Sequence, residues 1–191
     1  MTVELAARSP LDHRAGDLAG AASSTGGRVS LEEVRFLAQV DVRVSPEEAI
    51  RRELHLPSGS NTVIRDGERA ALWLGPDEWL VLGPAGAADA IVAELGSALT
   101  GTHGSVVDVS SNRAWLEVRG PDARELLSRG CPLDLHPSRW RPGMCAQTVL
   151  ARSQVLLESV DETSTRIGVR PSFAAYVVDW LLDACRFGVA T

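Results

Sequence analysis

The sequence predicts an α+β fold made of two tandem β2-α-β3-α units packed together. Three observations predict it. Short runs alternate apolar and polar residues and are bounded by turn residues, the pattern of strands with one buried face. Two longer segments carry apolar residues at three- and four-residue spacing, the pattern of amphipathic helices. The order strand, strand, helix, strand, strand, strand, helix then occurs twice, over Val29–Leu99 and Gly104–Phe187. The repetition is one of element order, since residue identity between the halves is weak. The expected division is an arm over residues 1–28, a first unit over 29–100 and a second over 101–191.

Residues 1–28 are rich in Ala, Gly, Ser and Thr with no sustained apolar period, so they read as an arm, either solvated or laid along a partner. Val34–Val44 reads as one strand, with Val40, Val42 and Val44 on one face, and the shorter Arg28–Leu31 is a candidate to pair with it. Ser45-Pro46-Glu47-Glu48 is a capping box with proline in the first turn, so a helix starts there, with Ala49, Ile50 and Leu54 as its apolar stripe. Pro57-Ser58-Gly59-Ser60 ends it. Three strands follow at Asn61–Arg65, Ala70–Leu74 and Glu78–Leu82, joined by Asp66-Gly67 and Gly75-Pro76-Asp77. The helix over Ala87–Leu99 buries Ile91, Val92, Leu95, Ala98 and Leu99.

The second unit opens with a strand at Val106–Val109 and the polar turn Ser110-Ser111-Asn112. In the next strand Ala114, Leu116 and Val118 point one way, and Trp115, Glu117 and Arg119 the other. Pro121 suits the first helical position, because its missing N–H would have no partner there. Asp122, Glu125 and Arg129 match the helix dipole, and Gly130 is placed to end the helix in the left-handed conformation. Strands are expected at Gln147–Leu150, Gln154–Val160 and Ser164–Val169. Ser172 then caps a final helix whose stripe is Phe173, Tyr176, Val177, Trp180, Leu181 and Ala184.

Composition excludes several chemistries. All nineteen basic residues are arginine. There is therefore no Walker phosphate-loop lysine, no Schiff-base lysine and no lysine general base. A formal net charge of −6 argues against general nucleic-acid binding. Cys131, Cys145 and Cys185 form no CxxC pair, so neither a zinc knuckle nor a disulfide framework is indicated, and they read as buried free thiols. No charged-then-apolar leader and no long apolar run appears, so a soluble cytoplasmic protein is expected, with no membrane partner.

Individual motifs mostly favour structural roles. Gly83-Pro84-Ala85-Gly86 joins a strand to a helix start, where anions can bind, but Pro84 removes a donor and no GxGxxG is present. His13, His55, His103 and His136 show no metal-ligand spacing, and no GxSxG elbow occurs. Asp108 at a strand end is expected to bond the turn amides of Ser110 to Asn112 rather than act as a base. Arg139-Trp140-Arg141 has the composition of a protein–protein hot spot. Trp115, turned away from its strand's apolar side, is a second interface candidate.

The stretch Ser105–Pro137, SVVDVSSNRAWLEVRGPDARELLSRGCPLDLHP, carries a resemblance. With LWLGPDEWLVL (Leu72–Leu82), CAQTVLAR (Cys145–Arg152), VRPSFAAYVVDWLLDA (Val169–Ala184) and RSPLDH (Arg8–His13), it resembles the gamma-subunit family of heterotetrameric sarcosine oxidases. That family is similar in fold to the folate-binding aminomethyltransferase, the T-protein of glycine cleavage. In the aminomethyltransferases a glycine-rich hairpin carries an aspartate used in catalysis and pterin recognition. The matching hairpin here, Cys145–Leu157, has no aspartate, glutamate or glycine. The resemblance therefore implies a non-catalytic structural subunit with no catalytic, cofactor-binding or metal residues of its own. It implies alpha, beta and delta subunits as partners. FAD, FMN and NAD are implied for the alpha and beta subunits, tetrahydrofolate for alpha and zinc for delta. The alternative is a stand-alone folate-binding or folate-dependent one-carbon protein of the same fold. The missing carboxylate, and a length that stops at two units without a further barrel, weigh against it.

Overall fold

The computed structural model describes residues 7–188. A 3-10 turn at Asp12–Arg14 leads into α1 (Ala15–Ser24). There follow β1 (Ser30–Val34), β2 (Ala38–Val44), α2 (Pro46–Arg51), β3 (Val63–Asp66), β4 (Arg69–Gly75), β5 (Glu78–Gly83) and α3 (Ala88–Ala98). The second half runs β6 (Gly104–Asp108), β7 (Ala114–Arg119), α4 (Ala123–Ser128), β8 (Met144–Leu150), β9 (Ser153–Ser159), β10 (Ser164–Val169) and α5 (Pro171–Gly188). From β1 onward this is the doubled β2-α-β3-α order. Ser45 caps α2 as expected, its hydroxyl accepting the amide of Glu48 at 3.3 Å.

The strands form two antiparallel five-stranded sheets, ordered β3-β4-β5-β2-β6 and β1-β7-β10-β9-β8. Each sheet takes one strand from the other half of the chain. β1 pairs with β7, Leu31 opposite Val118, and β6 pairs with β2, Val107 opposite Asp41. A cut at residue 100 thus separates the two runs of elements but not the two sheets. The expected continuous strand Val34–Val44 is broken at Phe36, whose φ of +55° stops extension and turns the chain from one sheet into the other. For the same reason β1 does not pair with β2.

Three apolar clusters separate four layers. Leu116, Val118, Leu157 and Ile167 pack against Val177, Val178 and Leu181 of α5, Leu126 and Leu127 of α4, and Leu18 of α1. Val40, Val42, Trp79 and Val81 pack against Ile91 and Leu95 of α3 and Ala49 of α2. Between the sheets, Leu72, Leu74, Leu80 and Leu82 meet Trp115, Cys145 and Leu156. Each such side chain, fully buried, contributes on the order of 1.5–3 kcal/mol.

Several local expectations change. Residues 7–28 are no arm without a core: Leu11, Leu18 and Ala21 are buried, and Arg14 ties α1 to α5 through Asp179 at 2.6 Å. A short helix that buries only Leu18 and Ala21 gives no periodic signal strong enough to read. Gly130 is not left-handed. A Cβ there would lie 2.5 Å from Cζ2 of Trp180, so the glycine makes room for the indole. Pro121 stays outside α4, which starts at Ala123, and Ser172 lies inside α5, which starts on Pro171. The buried stripe of α5 is Ala174, Val177, Val178, Leu181 and Cys185, whereas Phe173 and Tyr176 are exposed.

Candidate functional site

The hairpin β8–β9 is where the resemblance places chemistry. It turns on Ala151, which adopts a φ of +53°, and β8 forms the outer edge of its sheet. Its side chains hold the two sheets together. The Cys145 thiol points at the carbonyls of Trp73 (3.3 Å) and Thr62 (3.5 Å), and the Gln147 amide donates to the carbonyl of Leu74 at 3.0 Å. The Cys145 amide donates to the carbonyl of Asn61 at 2.9 Å. Burial pushes the Cys145 thiol up to about 12, so it is neither a thiolate nor a nucleophile at neutral pH. Beside the hairpin opens a cleft of about 450 Å³, lined by Gln147, Thr148, Val149, Gln154, Leu156 and Gly168 together with Arg113 and Arg170. No carboxylate lines it.

A charged network, not foreseen from the sequence, closes another part of the same inter-sheet layer. Glu158 on β9 is fully buried and pairs with Arg65 on β3, across the sheets. Arg166 lies between Glu158 (3.9 Å) and Glu117 (3.1 Å), and Arg119 reaches Glu117 at 2.7 Å. The Ser164 hydroxyl also donates to Glu117. Burial alone would raise the Glu117 carboxyl; the hydrogen bonds from Arg119, Ser164 and Arg166 outweigh it and hold the group below the ordinary range. Glu158 moves the other way. Burial dominates, and one of its oxygens has no hydrogen-bond partner among the described residues. The alternation of Trp115, Glu117 and Arg119 marked this face as polar. The signal that was missing was the second sheet lying over it.

The remaining candidates take structural places. Asp108 accepts the amide of Ser110 at 2.9 Å, the turn role expected of it. Trp115 is 1% exposed and sits between the sheets, so it is core and not interface. Trp140 is 3% exposed, buried with Leu135 and Leu150, which removes the indole of Arg139-Trp140-Arg141 from any contact surface. Trp115 reads as outward along its own strand, but residues of the other sheet cover it. At Gly83-Pro84-Ala85-Gly86 the carbonyl of Pro84 accepts the amide of Ala87 at 3.1 Å, and no side chain caps α3. His136 bonds Ser138 at 2.8 Å. Among the described residues no group of three or more His, Cys, Asp or Glu is placed to hold a metal ion, and no helix is long and apolar enough to cross a membrane. All three cysteines are buried and unpaired.

Gln39, also unforeseen, joins the two places where the chain changes sheets. Its side-chain amide donates to the carbonyls of Ser110 (2.7 Å) and Arg113 (2.8 Å), and its backbone amide donates to the Ser110 hydroxyl at 3.0 Å. The residue is 1% exposed.

A doubled α/β/β/α sandwich with strand exchange and a β8–β9 hairpin at its edge defines the class: an aminomethyltransferase-like fold. The glycine cleavage system aminomethyltransferase T from Bartonella henselae superimposes with a TM-score of 0.65 at 15% identity, over 88% of this chain and 49% of that one, a likeness of fold. A family model for the sarcosine oxidase gamma subunit family matches residues 45–186. The sarcosine oxidase gamma subunit of Arthrobacter sp. is 40% identical over 184 residues, covering 93% of this chain and 89% of the relative. That of Corynebacterium sp. (strain P-1) is 41% identical over 185 residues with the same coverage. A chain of the heterotetrameric sarcosine oxidase from Corynebacterium sp. U-96, solved in complex with pyrrole 2-carboxylate, superimposes with a TM-score of 0.87 at 36% identity, over 97% of each chain. The chain belongs to the sarcosine oxidase gamma subunit family.

Proposed function

We propose that this chain is the gamma subunit of a heterotetrameric sarcosine oxidase and that its part in the complex is structural. The observation that carries the reading is the hairpin. Where the resemblance implies a catalytic, pterin-binding aspartate, the segment Cys145–Leu157 offers only neutral side chains and Arg152, and the cleft beside it is lined by two arginines and no acid. Such a lining does not fit a pterin held by a carboxylate. The match over 97% of a chain from the heterotetrameric enzyme supports assembly with other subunits.

On this reading the partners are alpha, beta and delta subunits in the cytoplasm. Alpha and beta carry FAD, FMN and NAD, alpha carries the folate site, and delta carries zinc. The complex oxidises sarcosine with oxygen and water to glycine, hydrogen peroxide and formaldehyde, or delivers the one-carbon unit to tetrahydrofolate as methylenetetrahydrofolate. The present chain buries apolar surface of its larger partners and fixes their placement. A stable contact of this kind covers roughly 1,600 Å² in total, and permanent complexes exceed that. A free-standing one-carbon enzyme is not favoured.

The test is co-expression with the neighbouring open reading frames, followed by purification through a tag on this chain. Co-purification of flavoprotein subunits, with sarcosine oxidation in the complex and neither flavin absorbance nor turnover in the chain alone, is expected. Bound flavin, tetrahydrofolate binding or amine oxidation by the isolated chain would overturn the structural assignment.

A further inference from the structure

The cleft beside the hairpin is lined by two arginines and no carboxylate. Arg113 follows the polar turn between β6 and β7, and its stem lies against Gly168 of β10. A Cβ on Gly168 would meet the Arg113 Cδ at 3.1 Å and the Trp115 ring at 3.0 Å. Glycine at this position is what lets the arginine lie down on the sheet. The guanidinium so placed makes no ion pair and donates no side-chain hydrogen bond among the described residues. Its neighbour in the lining is a second cation, Arg170, whose guanidinium donates to the side-chain oxygen of Asn112. Burial and then the charge of Arg170 work against the charged form of Arg113, and outweigh the smaller opposing pull of Asp41 and Glu78.

Two like charges brought together, one of them half-buried, are costly unless an anion joins them. Elsewhere half-buried arginines have partners within the chain: Arg166 meets Glu117 and Glu158, Arg14 meets Asp17 and Asp179, and Arg124 donates to the carbonyls of Glu162, Leu135 and Trp140. At Arg113 no carboxylate comes within ion-pair distance among the described residues: Asp41 and Glu78 act on it only from farther off, and both are paired with Arg43. The rest of the wall is neutral: Gln147 and Gln154 are amide donors, and Val149 and Leu156 are apolar. Two cations and apolar side chains in one lining match an organic acid better than a bare inorganic anion. The volume, about 450 Å³, lies within the range of small-molecule sites.

We propose that the Arg113–Arg170 cleft is a carboxylate-binding site, taking either a small organic acid or a carboxylate side chain presented by an adjoining subunit. Bidentate guanidinium–carboxylate pairing supplies the recognition.

The probe is succinate at about 10 mM and constant ionic strength, added to the full chain and, in parallel, to the assembled complex, with melting temperature as the readout. If a small acid is the ligand, succinate raises the melting temperature of the chain, and Arg113→Gln or Arg170→Gln weakens its binding by roughly tenfold or more. If a partner supplies the carboxylate, succinate leaves the chain unmoved. Arg113→Glu and Arg170→Glu then weaken its retention in the complex by about tenfold or more, and the glutamine variants weaken it less. Absence of both effects overturns the proposal. So does inorganic phosphate acting as well as succinate. A control separates ligand binding from folding: Arg113→Met keeps the stem and removes the charge, so without added acid it leaves the melting temperature of the chain unchanged or higher. A lower one would mean that the charge serves the fold, and would also overturn the assignment.

Discussion

Replacing Gln39 by leucine removes the joint between the two crossings of the chain while keeping side-chain size. The wild-type amide donates to two carbonyls, of Ser110 at 2.7 Å and Arg113 at 2.8 Å, from a position 1% exposed. Losing both donors leaves two acceptors short, at about 1–2 kcal/mol each. The amide oxygen of Gln39 has no partner among the described residues, so its removal returns about 1 kcal/mol. The net loss is about 1–3 kcal/mol. For a chain of this length each kcal/mol moves the melting temperature by roughly 2–4 °C, so a fall of about 2–12 °C is expected in scanning calorimetry. Gln39→Glu should fall further at neutral pH, because a carboxylate would then face two carbonyl oxygens. Gln147→Leu, which loses one bond from an exposed residue, should fall less. A Gln39→Leu variant within about 0.5 kcal/mol of wild type would refute the view that this amide ties the crossings together.

Gly130→Ala forces a methyl to within 2.5 Å of Trp180 and should cost about 1–3 kcal/mol, whereas Gly96→Ala in α3, with open space around it, should stabilise by up to about 1 kcal/mol; equal melting temperatures would sink the packing argument. The two buried glutamates should respond to pH with opposite sign. Glu117, held low in the folded state, contributes stability that is present above the ordinary carboxylate range and lost as pH falls through its depressed value. Glu158, held high, loses stability as pH rises from that range through its raised value. Glu117→Gln should therefore cost about 2 kcal/mol at pH 7 and flatten the acid side of the profile, while Glu158→Gln stays within about 1 kcal/mol and gains on wild type as pH rises, both read by urea melts across pH. Cys145, with its thiol pushed up to about 12, should resist alkylation by iodoacetamide in the native chain and react once unfolded, as peptide mass spectrometry would report; rapid native labelling would contradict its burial.

Local chemistry made most elements legible. The capping box at Ser45, the turn at Asp108 and the alternation over Ser164–Val169 all stand where the pattern put them. What the pattern did not carry was who lies opposite whom. Alternation along β7 identifies two faces but not that both are covered, one by α4 and α5 and the other by β4 and β5, so Trp115 reads as outward. The pairing of β1 with β7 joins residues almost ninety positions apart, and no signal within either strand names its partner. Gly130 shows a related confusion: a glycine at a helix end usually answers a backbone need, and here it answers a ring arriving from α5. The candidate site was legible mainly as a loss, the carboxylate missing from Cys145–Leu157. The two arginines that line the cleft, Arg113 and Arg170, lie at the ends of β7 and β10 and are brought to the hairpin only by the sheet.

The reciprocal lending of β1 and β6 bears on synthesis. A nascent chain that has released only its first half holds a sheet without its outermost strand and a β1 with nothing yet to pair with. The first sheet cannot be completed until β6 has left the ribosome, nor the second until β10 has, so assembly of the two layers is expected to wait until Val169 is free and then proceed as one event. Arrested nascent chains ending before and well after that point should differ sharply in protease resistance; a resistant early fragment would show the opposite order. The same interlock means that the two halves cannot be inherited, trimmed or exchanged one at a time.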